Sequence, residues 1–548
     1  MDIRNLSIAP TIAVLSYTDP NLPPPTQNFI LTIEKTDGSS EILPSDRATW
    51  TVDPSSFGEI SEPGVFKSFG QYGTARVKAS FGNLNAAAEV YVQKPEDILL
   101  NGLTDEVTTQ FDQATRLENC QQIQFVYPEP MTVIPLNLSG LSLQWNAVGS
   151  GPYMVEAKFE NNQVRWFTNE NQVTPAGLAW ESIKRASLGR SIDLKVSVLQ
   201  NGQSCTSPSI PLIIDRSELI GAVYYWSTAD SGIMRLAVGE TQPEAFLTQA
   251  TAPNIYCPAC HALSRDGSRV AFTKTTFPPM GFLATSMVRN PADLLYDATN
   301  NEGYFPSFSP DPRKLVAGSS GKLVIKNTDT GMLELELPIP ANKVGGEPDW
   351  SWQGDKIVAV LGDKGLVNFL PNTGINQGAL YQWTFANDQW QGPTLIYDMQ
   401  NGVQNNRPAY SPDGSMIAFN TQGENPNTAS GSNQGQATSN PTTDLWIAYP
   451  DGSGAVPLNR ANQGSGLGNN WPKWSPTDRR GRMWLAFSSL RNYGNVLINT
   501  ESRPQIWVTA IDPNAPAGQD PSSPAFWLPY QSINSGNHIP YWAAYEKR

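Results

Sequence analysis

Over residues 216–548 one short phrase recurs: proline, a variable residue, an aromatic, serine. It reads Pro306-Ser307-Phe308-Ser309-Pro310-Asp311, Pro348-Asp349-Trp350-Ser351, Pro408-Ala409-Tyr410-Ser411-Pro412-Asp413-Gly414 and Pro472-Lys473-Trp474-Ser475-Pro476. An apolar strand follows each copy, at residues 314–317, 356–360, 416–419 and 483–487, and several units add a second strand ending in a polar turn, as at 445–449 and 505–509. A strand-turn-strand unit of about 40 to 70 residues cannot bury its apolar face alone, so its copies must stack, and the repeat predicts a β-propeller.

Two copies are incomplete. Ala262-Leu263-Ser264-Arg265-Asp266-Gly267, followed by Val270-Ala271-Phe272, has His261 where the others have proline, and Pro540-Tyr541-Trp542-Ala543 is followed by only five residues. That makes six anchors. The last has no strands after it, whereas residues 223–227 and 233–236 are strands with no anchor before them. Ring closure joins the two fragments: residues 538–546 are expected to supply the inner strand of the blade whose outer strands lie in 222–237, which also removes exposed sheet edges.

The phrase resembles the TolB-type, WD40-like propeller repeat, P-x-aromatic-S-P-D-G followed by an I-A-F strand, over about residues 216–548. The resemblance implies a fold and not one function. Before it, residues 1–93 alternate in short segments with frequent turn signals, and the stretch 48–92 resembles bacterial Ig-like domains of surface proteins. Residues 94–118 are polar and read as a linker. Residues 119–215, with strands expected at 141–145, 153–157 and 192–196, look like a fibronectin-type sandwich. The expected fold class is therefore all-β: two N-terminal β-sandwiches followed by a six-bladed β-propeller, 216–548, closed by its own first and last strands. The polar stretch from Thr421 to Thr443 reads as an exposed insertion between strands. Calcium there would have only Glu424 and Asp444 as carboxylate ligands.

The chain has two histidines. His261 closes Cys257-Pro258-Ala259-Cys260-His261, and C-x-x-C-H is the attachment sequence of c-type haem: two thiols add to the vinyl groups and the imidazole ligates iron. His538 stands two residues before Pro540, and ring closure sets its blade beside that of His261. Both imidazoles are thus expected at one end of the channel, as axial ligands on opposite haem faces. Met234, Met280 and Met287 are alternative sixth ligands. Tyr256, Trp471, Tyr541 and Trp542 are candidates to wall the macrocycle and Arg265 or Arg407 to meet a propionate, although propeller packing accounts for each as well. Other chemistries compete for the cysteines. They are a Cys257–Cys260 disulfide or thiol pair; a thioredoxin-like pair, which lacks its βαβ context; and zinc on Cys257, Cys260, His261 and His538, where adjacent ligands meet one small ion with difficulty. Cys120 and Cys205, near the ends of one apparent domain, are a candidate disulfide or two buried thiols.

A net charge of -13 gives no footprint for nucleic acid. No apolar run is long enough to span a bilayer, and MDIRNLSIAP lacks the pattern of a signal peptide, so Met1 is expected to begin a trimmed or processed chain. No G-x-S-x-G elbow or nucleotide-binding glycine motif occurs. These readings point to an exported c-type cytochrome-like protein with one covalent haem, passing single electrons to a redox partner. The rival is a haem-free cell-surface propeller serving as a binding, adhesive or structural module, with self-assembly left open.

Overall fold

The computed structural model describes residues 3–16, 23–61, 64–69, 73–93, 96–160, 162–255, 258–276, 280–367, 370–400, 403–422, 443–463, 466–476, 481–498 and 503–544. It divides into two compact units, Met1–Met131 with Gly140–Asp215, and Thr132–Ser139 with Arg216–Arg548.

The first unit contains both sandwiches. Strands Ile12–Ser16, Thr49–Asp53, Gly73–Phe81 and Leu84–Gln93 form one sheet of the first. Alternation puts Val77, Ala79, Ala88 and Val90 inward, against Leu6, Ile8, Leu31 and Ile33 of the facing strands. In the second, Tyr153–Phe159 lies between Asn162–Thr168 and Ser191–Gln200. The polar stretch expected as a linker is part of this sandwich. Strand Glu96–Leu99 pairs in parallel with residues 164–167, and helix Asp105–Gln113 seats Val107 and Phe111 on Met154 and Phe167. Arg165 ties both down, donating to Asp97 at 2.6 and 2.7 Å and to Asp112 at 2.7 Å. One short helix with two apolar residues four apart left too weak a periodicity to see.

Cys120 and Cys205 are joined by a disulfide, their Cα atoms 5.8 Å apart. One further boundary differs from expectation: Thr132–Ser139 belongs with the propeller. There Asn137 donates to the Leu219 carbonyl and accepts from the Leu219 amide, both at 2.9 Å.

The second unit is the propeller, six sheets of four strands each. Five sheets run consecutively, with innermost strands Pro258–Leu263, Tyr304–Phe308, Val344–Trp350, Gln404–Tyr410 and Asn470–Trp474. The sixth joins the two ends of the unit: Asn537–Ala543 pairs antiparallel with Ala222–Ser227, which continues to Gly232–Ala237 and Glu244–Leu247. Gly221 (φ 86°) makes this possible, because a Cβ there would strike the Ala543 carbonyl. The repeat phrase folds as its chemistry dictates. Ser411 Oγ donates to Asp413 at 2.6 Å and accepts from the Met416 amide at 3.0 Å, while Gly414 takes the positive φ. Ser264, Asp266 and Arg269 do the same in the His261 blade. Residues 423–442 of the insertion lie outside the described residues, Glu424 among them; its flanks, Gln422 and Thr443, pair directly.

The disulfide closes a loop of 85 residues. Cys205→Ser is expected to lower the unfolding free energy of the first unit by about 2–5 kcal/mol in a urea titration under non-reducing conditions, and an unmoved transition would show that the bond contributes nothing.

Candidate functional site

Each blade kinks its innermost strand at the same place. The residue before the anchor proline, or before His261 in its blade, has left-handed backbone: Cys260 (φ 48°), Phe305 (50°), Glu347 (52°), Arg407 (52°), Trp471 (59°) and Ile539 (54°). None is glycine, so each conformation costs roughly 1–2 kcal/mol, and the pairing to the next strand slips at all six. A bulge re-aims a side chain, and here the six converge on the axis. Phe305 and Trp471, three blades apart, bring their ring centroids to 5.4 Å. Ile539 packs with them, with Cys260 and Tyr304 alongside. Arg407 places its guanidinium 3.9 Å over Trp471, and its amide donates to Glu347 Oε2 at 2.8 Å. Burial pulls the Arg407 pKa down while Glu347 and Cys260 push it back up, and a guanidinium stays charged under these conditions.

Two residues further along, four of the six strands contribute to a polar tier, with Ser307, Asp349, Lys473 and Tyr541. Buried Asp349 accepts from Ser307 Oγ at 3.0 Å, from the Tyr410 amide at 2.9 Å and from Lys473 at 3.4 Å, and Lys473 sits 5.3 Å over Tyr541. Beyond it Arg265 donates to the Trp350 carbonyl and stacks 4.4 Å over Trp352. Among the described residues, side chains therefore fill the channel at these tiers. The described cavities beside them hold about 20 Å³, next to Phe305 and Glu347, and about 10 Å³, next to Asp349 and Lys473.

The histidines meet on one strand. His261 is buried and its Nε2 lies 3.3 Å from the Tyr224 carbonyl; a carbonyl only accepts, so Nε2 carries the proton and the lone pair is on Nδ1. His538 pairs across the sheet with Trp226, their ring centroids 6.4 Å apart. Tyr224 and Trp226 both belong to Ala222–Ser227. In each imidazole Nδ1 is enclosed without a hydrogen-bond partner, and a buried nitrogen left so costs about 1–3 kcal/mol. Desolvation lowers the His261 pKa to about 4, with Lys473 adding to it, and lowers that of His538 to about 3, with His261 adding to it.

The donor set suits a group that takes imidazole nitrogens, since two neutral rings on adjacent blades each keep one unsatisfied nitrogen. It also suits thioether attachment in that Cys260 opens onto the apolar ring. Cys257 and Tyr256 lie outside the described residues, as does the side chain of Met280. Met234 and Met287 stand on the third strands of their blades, opposite Tyr225 and Arg269 and two strands out from the axis, so neither is placed as a ligand. Trp542 donates to the Ile220 carbonyl at 2.8 Å, and Arg265 spends its charge on Trp350 and Trp352, so both pack within the propeller. Among the described residues no group of three or more His, Cys, Asp or Glu side chains is placed to hold a metal ion, which leaves the four-ligand zinc arrangement without its geometry. The reading of motifs passed over the ring of six, although its signal was present: the residue before each anchor varies in chemistry while the anchor stays constant.

No known family and no curated protein matches this chain. Among solved structures, TolB from Acinetobacter baumannii is 12% identical over 82% of this chain and 97% of that one, with a TM-score of 0.37. The putative TolB from Agrobacterium tumefaciens is 14% identical over 59% and 98%, at 0.32. Dihydro-heme d1 dehydrogenase NirN is 14% identical over 56% and 54%, also at 0.32. The six-bladed fold stands on this chain's own sheets.

Both folded imidazole pKa values fall below the ordinary 6.5, so their contribution to stability is complete above pH 6.5 and is lost as pH falls toward 4 and then 3. At pH 5 the two together are expected to cost the haem-free protein roughly 4 kcal/mol relative to pH 7.5. Urea titrations at both pH values measure this. His538→Gln should remove about half of the difference, and an unchanged difference would mean that His538 is not enclosed.

Proposed function

We propose that this chain is an exported β-propeller protein that carries one covalently attached haem and passes single electrons, in the manner of a c-type cytochrome. The observation that supports this best is the convergence of two neutral, enclosed imidazoles, each with an unsatisfied nitrogen, beside a C-x-x-C-H strand. Cys257 and Cys260 would hold the vinyl carbons, and His261 and His538 the iron. When bound, the haem supplies one-electron transfer, and two imidazole ligands leave no open position for a substrate. The chain's own part is to keep both rings neutral by burial, to exclude water with Phe305, Trp471 and Ile539, and to offer the Arg407 charge beside the thiol. The Cys120–Cys205 disulfide supports export, because such bonds persist in oxidising compartments. No helix among the described residues is long and apolar enough to cross a membrane.

A second reading, a haem-free binding or structural module, is favoured by the filled channel, where Cys260 already packs against Phe305, Trp471 and Ile539. Secretion from cells that carry the haem-attachment machinery separates the two, with a known c-type cytochrome matured in parallel. The first reading expects a Soret band and a mass gain of one haem, both lost in the double variant Cys257→Ala, Cys260→Ala. It also expects His538→Ala to keep the mass gain but convert a low-spin spectrum to high-spin. Protein secreted beside a matured control with neither band nor mass gain would establish the second reading.

A further inference from the structure

A sizeable cavity lies away from the axis, between the second and third blades. Its volume is about 590 Å³, within the range of small-molecule sites. One wall is aromatic. Trp350 and Trp390 stand edge to face with centroids 5.5 Å apart, and Phe385 lies 5.4 Å from Trp390. The hairpin that carries Phe385 and Trp390 is tightly turned: Phe385 pairs with Trp390 and Ala386 with Gln389 across a two-residue turn, Asn387 (φ 52°) and Asp388 (φ 59°), the left-handed pair of a type I′ turn. Phe385 is 44% exposed. The opposite wall is Ile325, Leu335 and Pro338 from the second blade.

The polar groups of the cleft are Glu334, Asp388, Gln389 and Lys314. Lys314 is paired with Glu334 at 3.1 Å, so an anionic ligand would meet the Asp388 carboxylate with no unpaired cation to offset it. A purely apolar ligand would desolvate both carboxylates without replacing their hydrogen bonds. A ligand with apolar C–H faces and many hydroxyl donors satisfies both walls, stacking on Trp390 and Phe385 while its hydroxyls donate to Asp388, Glu334 and the Gln389 carbonyl. We propose that this cleft binds neutral carbohydrate, an oligosaccharide of a few hexose units, independently of anything at the propeller axis.

The test uses the full chain and the intrinsic fluorescence of its tryptophans, titrated with cellotriose, maltotriose, mannotriose and chitotriose, and with trigalacturonate and choline as charged contrasts. At least one neutral trisaccharide should shift the emission saturably below about 10 mM, a range set by the weak affinity that a few stacked and hydrogen-bonded groups provide. Trp390→Ala should weaken it by about tenfold or more, the loss of a stacked aromatic anchor. Phe385→Ser, at a side chain already partly in solvent, should weaken it severalfold and covers the case in which the tryptophan variant does not fold. Saturable binding unaffected by Phe385→Ser, binding of choline or trigalacturonate alone, or no response to any neutral trisaccharide would overturn the proposal.

Discussion

The pairing of Asn537–Ala543 with Ala222–Ser227 is the contact on which the rest of the propeller depends. Without it the strands Ala222–Ser227, Gly232–Ala237 and Glu244–Leu247 lack an inner neighbour, and Tyr541 and Ala543 leave the core they share with Tyr224, Ile233, Ala262 and Leu263. Each large apolar side chain so buried is worth about 1.5–3 kcal/mol, and the join removes two open sheet edges at once. It also has a chemical consequence. Residues 261 and 538, remote in sequence, come to lie against Tyr224 and Trp226 of one strand, where burial holds both imidazoles neutral.

The same logic of repetition builds the axis. Six bulges at one position of the repeat, each strained, aim Cys260, Phe305, Glu347, Arg407, Trp471 and Ile539 at a common point. Strain of that kind persists only where surrounding structure over-determines it, and here the next strand of the same blade and the innermost strands of the adjacent blades do so. The result is a graded column: an apolar and charged ring, then the Ser307, Asp349 and Lys473 network, then Arg265 on Trp352. A neutral imidazole pair next to this column, with Cys260 in its apolar ring, is the feature that a covalent group would use. A packed column is also what a purely structural propeller would need.

Much of the architecture was legible in the primary structure because it is periodic. Anchors such as Pro408-Ala409-Tyr410-Ser411-Pro412-Asp413-Gly414 encode a turn whose hydrogen bonds follow from the side chains themselves, and a missing anchor at one end answered an orphan strand at the other. Aperiodic features were harder. Helix Asp105–Gln113 has two apolar residues in nine and is held by Arg165, which is remote in sequence, so the stretch looked like a linker. The histidines were placed on adjacent blades by topology alone, but which nitrogen meets the Tyr224 carbonyl depends on a bulge one residue earlier, which no spacing rule gives. The aromatic wall of Trp350, Phe385 and Trp390 is assembled within one blade from side chains whose proximity is set by the length of a hairpin rather than by any motif.

Hydrogen exchange followed by mass spectrometry on the full chain tests the closing strand directly. The account predicts that those amides of 537–543 that donate into the ladder with 222–227 exchange slowly, as amides of a folded core strand do. Fast exchange of the C-terminal peptide beside a protected 222–227 would contradict it, leaving the blade completed by something other than the end of the chain and the two imidazoles apart.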